Sequence, residues 1–425
     1  MRKNAEKITD IYLAVMLGLF PLFTGFSGYA AIAQSKWWFY FCVTGLWMLA
    51  LLFARLHEGN AGQQQKLPLP LLLLAIFAAW SIFSAVCSPF GWKLCFWGTD
   101  YYDGFFPLLI YIATAMLLAH HGKLKPWHTR TFGISLFLCL LVAHRQLADA
   151  NPLALYPSEW RFSDAGTLYS GMYLGTVGNT LILCSVLSLG LPWLFCAALQ
   201  RRGWDWLLLL PVGMGLYVLY RCDGSSAWVA LLVAAALALP AVTRGRHRKR
   251  ILLAEALAVL CALVLLWFWP GQSGTLYEAS QLLHGNADDS FGSSRVRIWR
   301  AAWNLVRERP WLGGGPGTFA QRIDVSFSRF VPETGGTLST YVTNPHNEYL
   351  GLLVNLGIPG LALYVGSLGS LFSRGPVWKK DALPILLGFT SYAVQAFFAL
   401  GYPLSAPLFW IAWGLLAHTL FPVED

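Results

Sequence analysis

The chain has 425 residues, 56% of them apolar and only 12% charged, with a formal net charge of +9 at pH 7. Windows of about 20 apolar residues recur along it, each long enough to cross a hydrocarbon core of roughly 30 Å as a helix, so a soluble globular fold is excluded. A membrane β-barrel needs alternating strands of roughly ten residues, and these runs are continuous instead.

Taken in order, the apolar segments are 8–33, 37–54, 67–87, 104–119, 131–147, 177–199, 206–220, 225–242, 251–269, 349–372, 382–400 and 405–421. They predict an all-α, polytopic membrane protein of about twelve transmembrane helices, one integral membrane domain over 1–425. The segment 131–147 is weakened by His144, Arg145 and Gln146 at its end, and 206–220 by its shortness. The first span is too long for a cleaved signal peptide and lacks a small-residue cleavage site, so it reads as a retained helix. One loop, 270–345, is far longer than the rest. Connectors of that size carry function.

Lys and Arg fall unequally on alternate loops. The set that includes the N-terminus holds 18, among them Arg55, Lys66, Lys123, Lys125, Arg130, Arg201, Arg202, Arg374, Lys379, Lys380 and the run 244–250; the short loops of the opposite set hold five, Lys36, Lys93, Arg145, Arg161 and Arg221. Positive loops stay cytoplasmic and long loops cross largely regardless of charge, so both termini are expected inside and 270–345 outside. Topology and anionic lipid account for the basic excess, and nucleic acid is not an expected partner. The polar stretch 62–65 is a cytoplasmic linker. Eight scattered Cys, without a Cys-x-x-Cys pair, give neither a zinc site nor a disulfide framework, although Cys87 and Cys95 flank one outward loop.

Two outward regions carry candidate chemistry. Within the long loop, Val296, Trp299, Trp303 and Val306 recur at helical spacing with Arg297, Arg300 and Arg307 off that stripe, an amphipathic helix suited to lie on the leaflet with its Trp side toward lipid. Any one of these arginines has a simpler reading as a headgroup anchor. Arg295 stands apart: Trp299 lies four residues on, where an indole can hold a guanidinium, and a fixed guanidinium grips phosphate at two points. The Gly-rich turn that follows, with Gly313, Gly315 and Gly317, either presents amides to an anion or folds the loop back. Arg221 ends the seventh span at the same level, with Asp223 as its alternative partner. His346 precedes the tenth span beside Asn347 and Glu348; it is placed either to take a proton from a hydroxyl or to cap the helix.

These residues together resemble the O-antigen ligase and polymerase superfamily, membrane transferases acting on lipid-linked glycans. Its signature of His-Asn/Ser/Gln, nine residues and Gly-x-x-Gly is matched by His346, Asn347, Gly357 and Gly360. Its Arg-x-x-x-Trp element is matched by Arg295 and Trp299, and its Gly-rich turn by Pro310, Leu312, Gly313, Gly315, Gly317, Thr318 and Phe319. Gly175, Thr176, Gly178 and Asn179, and Gly98 with Asp103 and Gly104, are weaker echoes. The chain departs from the pattern at Ser225-Ser226-Ala227, where many members have Ser-Arg-Gly, and at Leu361, where many ligases have Thr.

The resemblance implies a fold like that of the large membrane glycosyltransferases with outward catalytic loops, here 270–345, in the bacterial cytoplasmic membrane. It implies an inverting transfer without metal or cofactor, from a glycan on undecaprenyl diphosphate to an acceptor hydroxyl on a glycan, lipid or protein. His346, Arg295 and Arg221 would be catalytic, and Trp299, Asn347, Arg297, Arg300, Gly315 and Gly317 would bind substrate. A polymerase or a protein O-oligosaccharyltransferase of the same superfamily fits as well; a transporter of a lipid-linked or anionic substrate is the alternative of another class.

The charge asymmetry predicts that an impermeant thiol reagent applied to intact cells labels Ser290→Cys and spares Arg248→Cys. The reverse pattern overturns the topology.

Overall fold

Each apolar run long enough to span a bilayer is helical, because inside hydrocarbon every backbone amide needs an internal partner. The computed structural model describes residues 2–58, 67–158, 173–200, 203–243, 245–331, 336–372 and 381–422. Lys66, Arg161, Arg201, Arg202, Arg244, Arg374, Lys379, Lys380 and the linker 62–65 lie outside the described residues. The first half contains α1 (Arg2–Gly18), α2 (Ile32–Glu58), α3 (Leu69–Val86), the short α4 (Trp92–Trp97), α5 (Phe105–His121), α6 (Pro126–Gln146) and α7 (Thr180–Gln200). After these come α8 (Leu209–Arg221), α9 (Ser225–Val242) and α10 (Gly245–Trp267). The long loop holds α11 (Thr275–Leu283), α12 (Phe291–Glu308), α13 (Phe319–Arg322) and strands β1 (Ser326–Val331) and β2 (Gly336–Tyr341). The chain closes with α14 (Glu348–Ser370), α15 (Leu383–Gln395) and α16 (Ala406–Leu420).

Among the described residues, six helical stretches are long and apolar enough to cross a membrane, and four shorter apolar helices accompany them. With α1 and α6, one helix falls on each of the twelve expected segments. The protein is an all-α, polytopic membrane protein, to which the long loop adds one antiparallel hairpin, paired from Ser326↔Tyr341 to Val331↔Gly336. The first expected span is shorter than its apolar run. Its helix ends at Gly18, and Pro21 with Gly25 and Gly28, at φ +73° and +54°, interrupts the chain before α2. Lys36, counted as a loop charge, is instead fully buried within α2; its Nζ donates to the carbonyls of Phe20, at 2.6 Å, and Pro21, at 3.2 Å. Cys87 and Cys95 are both free thiols.

The bundle packs α7 on α15, α16 on α5 and α14 on α3 around fully buried Trp37, Trp193, Trp413 and Tyr364. Buried hydroxyls and amides pair across helices, as Tyr40 with Thr114 at 2.7 Å and Ser185 with Gln395 at 2.8 Å, the polar contacts that hold membrane helices where burial against lipid gives no advantage. Polar contacts also sort the helix ends. Lys125 meets Glu6 and Asp10, and Arg130 meets Asp205 at 2.6 Å, which brings the starts of α1 and α6 and the approach to α8 to one end. At the opposite end Tyr29 donates to Gly175 O at 2.6 Å, and Ser84, near the end of α3, to Leu312 O in the long loop at 2.7 Å. This segregation is what alternating spans require.

Helix α14 is broken at Gly357, whose φ of +70° and ψ of −175° lie where side-chain-bearing residues are strained. The Gly-rich turn fills the break: Ile358 N donates to Pro310 O at 2.8 Å, Gly314 N to Val354 O at 3.1 Å and Gly315 N to Asn355 O at 2.9 Å. A Cβ on Gly357 would overlap the Trp311 carbonyl, and one on Gly313 would overlap the Asn355 backbone. Gly357→Ala should therefore destabilise by roughly 2–4 kcal/mol, combining backbone strain and overlap. Gly369→Ala, in the same helix with nothing within 4 Å of its added Cβ, should be neutral or stabilising. Thermal unfolding of the two variants in detergent checks the contrast, and equal melting temperatures would refute the interlock.

Candidate functional site

The loop between β2 and α14 is pinned on all sides. Asn344 Oδ1 accepts from His346 N at 3.1 Å, Pro345 O accepts from Trp299 Nε1 at 2.8 Å, and Glu348 N donates to Ala396 O at 2.9 Å. Asn347 is the N-cap of α14, its Oδ1 accepting from Leu350 N at 3.0 Å, so the capping role weighed for His346 belongs to its neighbour. His346 itself sits at φ +48°, a left-handed conformation that turns its side chain away from those of the residues beside it. Its Nδ1 is buried and has no partner.

Arg295 comes to the same place from α12. Gly292, Ser293 and Ser294 precede it in a left-handed turn, and Gly292 N is tied to Glu278 Oε2 at 2.8 Å. Arg295 Nε is buried without a partner, and its Nη1 makes a single long bond, 3.4 Å, to Gly292 O. Burial, and then the nearby Arg295 charge, pushes the His346 pKa from 6.5 down to about 4. Burial likewise lowers that of Arg295, which still leaves a guanidinium charged at neutral pH. A neutral imidazole and a charged guanidinium, each with an unmet buried nitrogen, thus lie within electrostatic reach of one another. Such orphaned groups are costly while they stay unmet, which makes the pair a candidate site.

The other expected residues are distributed differently. Trp299 holds the His346 loop through Pro345 rather than stacking on Arg295, its ring packing edge-on to Phe397 at 5.5 Å. Arg297 lies over the Phe327 ring at 5.3 Å, and Arg300 is paired with Asp289 and Ala287 O on the exposed side. Arg221 is exposed and bonded to Tyr217 one turn back on its own helix, at 2.8 Å, so the structure does not bring it to His346. Arg295 instead lies within electrostatic reach of Cys184, which contacts Ser226 in the stretch that departs from the superfamily pattern. Gly315 and Gly317 lack Cβ for packing reasons. A side chain at Gly315 would meet Ser88 and Cys95 at 2.7 and 2.8 Å, and one at Gly317 would meet Gly98 Cα at 2.6 Å.

Helix α12 also differs from the expected lipid-facing stripe. Val306 turns inward with Ile298, Ala302 and Leu305 onto Phe319, Val325, Val342 and Val354. Val296, Trp299 and Trp303 line an apolar groove of about 810 Å3 whose far wall is Leu350, Leu353, Leu361 and Phe397. The helix therefore has two apolar faces, one packed and one open beside His346. Sequence reasoning also missed Arg322, buried by its contacts to Leu305 O at 3.0 Å and Val354 O at 2.9 Å, which fastens α12 to α14. Its pairing across distant segments leaves no local pattern to read.

The O-Antigen ligase family model matches residues 207–365, a stretch that contains Arg221, Arg295, the Gly-rich turn, His346 and Gly360. A search of curated proteins found no match.

A base with a pKa near 4 is neutral across the physiological range and becomes protonated only below it. The kcat/KM of any activity that uses neutral His346, which reports the donor-free protein, should therefore hold level from pH 8 to pH 5 and fall as pH drops through about 4, whereas an unshifted imidazole would lose it through about 6.5. In Arg295→Gln the acid limb should move toward higher pH, since one cause of the depression is removed. A pH–rate profile of both proteins measures this, and an acid limb unmoved by the substitution would contradict the pairing.

Proposed function

We propose that this chain, whose residues 207–365 carry an O-antigen ligase domain, transfers a glycan from undecaprenyl diphosphate to an acceptor hydroxyl on the outer side of the cytoplasmic membrane. The observation that carries the reading is the pair of buried, unpartnered nitrogens, Arg295 Nε and His346 Nδ1, on one catalytic loop. Neutral His346 takes the acceptor proton as the oxygen attacks the anomeric carbon. The bond from that carbon to the diphosphate oxygen breaks, and inversion follows from the single displacement. Arg295 faces the charge that develops on the departing diphosphate, a preorganised electrostatic role that asks for no metal. Bound diphosphate also offsets Arg295, which raises the basicity of His346 when the donor is present. The groove along Trp299 and Trp303 suits an isoprenoid chain, and Asn347 borders it. Arg221 contributes only by leaving Tyr217.

Ligase, polymerase and protein glycosyltransferase share this chemistry and differ in the acceptor. The purified protein incubated with a polyprenyl-diphosphate glycan and each acceptor class in turn is expected to release polyprenyl diphosphate only with its proper acceptor, and equally with chelator present. His346→Ala should lower the rate about 10²- to 10⁴-fold with donor binding retained. Arg295→Lys should lose at least about tenfold, the size of one charge-assisted hydrogen bond, and Arg221→Ala less. Wild-type turnover in His346→Ala would sink the mechanism.

A further inference from the structure

A second, partly open pocket lies behind the His346 loop. It has a volume of about 140 Å3, and Pro345 and Asn347, the neighbours of His346, form part of its wall while His346 does not. Glu348 projects into it from the first turn of α14. Its Oε1 accepts from the Tyr364 hydroxyl at 2.6 Å, and its Oε2 is buried with no partner. Asn344, bonded to the Tyr402 hydroxyl at 2.5 Å, and Asn355 add polar groups. The remaining walls are largely aromatic: Tyr402, stacked on Tyr101 at 4.2 Å, with Tyr111 and Trp410. Tyr102, also in the wall, is held at φ +55°, another strained position of the kind that persists where function holds it.

This combination selects its ligand. An isoprenoid chain would leave the carboxylate oxygen unmet, which is costly when buried. A divalent cation needs several oxygen ligands, and the wall offers two carboxyl groups, Glu348 and Asp103, the second already accepting from Thr99; among the described residues no three His, Cys, Asp or Glu side chains converge on one point. Aromatic faces beside a carboxyl group with one unmet oxygen, and amides, match a ring with apolar C–H faces and a hydroxyl rim. A six-membered ring fits, because an apolar cavity of about 150 Å3 holds benzene and the partly open pocket leaves room for the exocyclic hydroxyls.

We infer that the cavity bounded by Glu348, Asn344, Asn355 and Tyr402 binds one pyranose ring of a glycan, placing the adjoining sugar at the His346 loop. The inference rests on the proposed transfer for the identity of the glycan, which is either the donor's or the acceptor's. In the full-length protein, Glu348→Gln keeps the shape but replaces the carboxyl group, and Leu352→Trp fills the space without replacing a polar side chain. Both should raise KM for the same one substrate about tenfold or more and leave kcat within about threefold. A rise for the donor assigns the ring to the donor glycan, and a rise for the acceptor assigns it to the acceptor. Binding of the corresponding lipid-free oligosaccharides, followed by saturation-transfer NMR, is read without turnover and should weaken in both variants. A wild type that binds these sugars yet moves no glycan from a polyprenyl-diphosphate donor to any acceptor class would overturn the proposed reaction and leave the cavity assignment standing. Unchanged KM and unchanged oligosaccharide binding in Leu352→Trp would overturn the cavity assignment, as would a loss confined to kcat in Glu348→Gln. Should Glu348→Gln fail to fold, Leu352→Trp alone decides.

Discussion

The site depends on one interlock: the break in α14 at Gly357 and the Gly-rich turn that occupies it. Neither half is stable alone. A helix broken within a membrane exposes carbonyls that hydrocarbon cannot satisfy, and the turn's amides at 314 and 315 need acceptors. Each supplies the other, with Val354 and Asn355 carbonyls receiving Gly314 and Gly315 and the Pro310 carbonyl receiving Ile358. The hydroxyls of Ser84 and Ser88 on the α3 side bond Leu312 O and Gly314 O, which fixes the turn to the bundle. The long loop is thereby anchored in the transmembrane domain near its middle, and α12 and the His346 loop approach one another from an anchored base.

Strain is concentrated around that base. Among the described residues that are not glycine, seven have positive φ; Ser293 and Ser294 directly precede Arg295, His346 is itself one, and Asp223 belongs to the α8–α9 turn near Cys184. Conformations of this kind are held only where the surroundings over-determine them. The bonds from Glu278 to Gly292, from Asn344 to His346 and from Trp299 to Pro345 are those surroundings. Two groups that burial would neutralise or expel are instead kept in place with their nitrogens open.

Much of the architecture is readable from the sequence because a spanning helix announces itself by the length of its apolar run, and each of the twelve expected segments coincides with a helix. The break after Gly18 and the burial of Lys36 are not readable that way, since hydropathy averaging passes over a single Pro or Lys. Within the site, motif spacing brought out Arg295, Trp299, His346 and Asn347 together, and the fold gathers them. What each of them touches is another matter. Trp299 and Pro345 are 46 residues apart, and Ser84 and Leu312 are 228 apart. A pattern confined to one helical turn contains neither partner. The same limit applies to the cavity behind the loop, whose walls come from seven separate segments of the chain, while Arg221 is the converse case, its partner Tyr217 lying one turn back on its own helix.

Lys36 has a consequence for how the chain is assembled. A lysine within an apolar helix opposes transfer into the bilayer by roughly 3 kcal/mol when it stands alone. Its acceptors, the carbonyls of Phe20 and Pro21, are only 16 and 15 residues upstream, in the break that ends α1. The first two helices can therefore leave the insertion machinery as a hairpin with its charge already met, before any later helix exists. Thr176, which also donates to Pro21 O at 2.8 Å, then finds a finished acceptor on which the sixth span docks. A break in a helix that looks like a defect in the mature bundle is, in the order of synthesis, what lets the bundle begin.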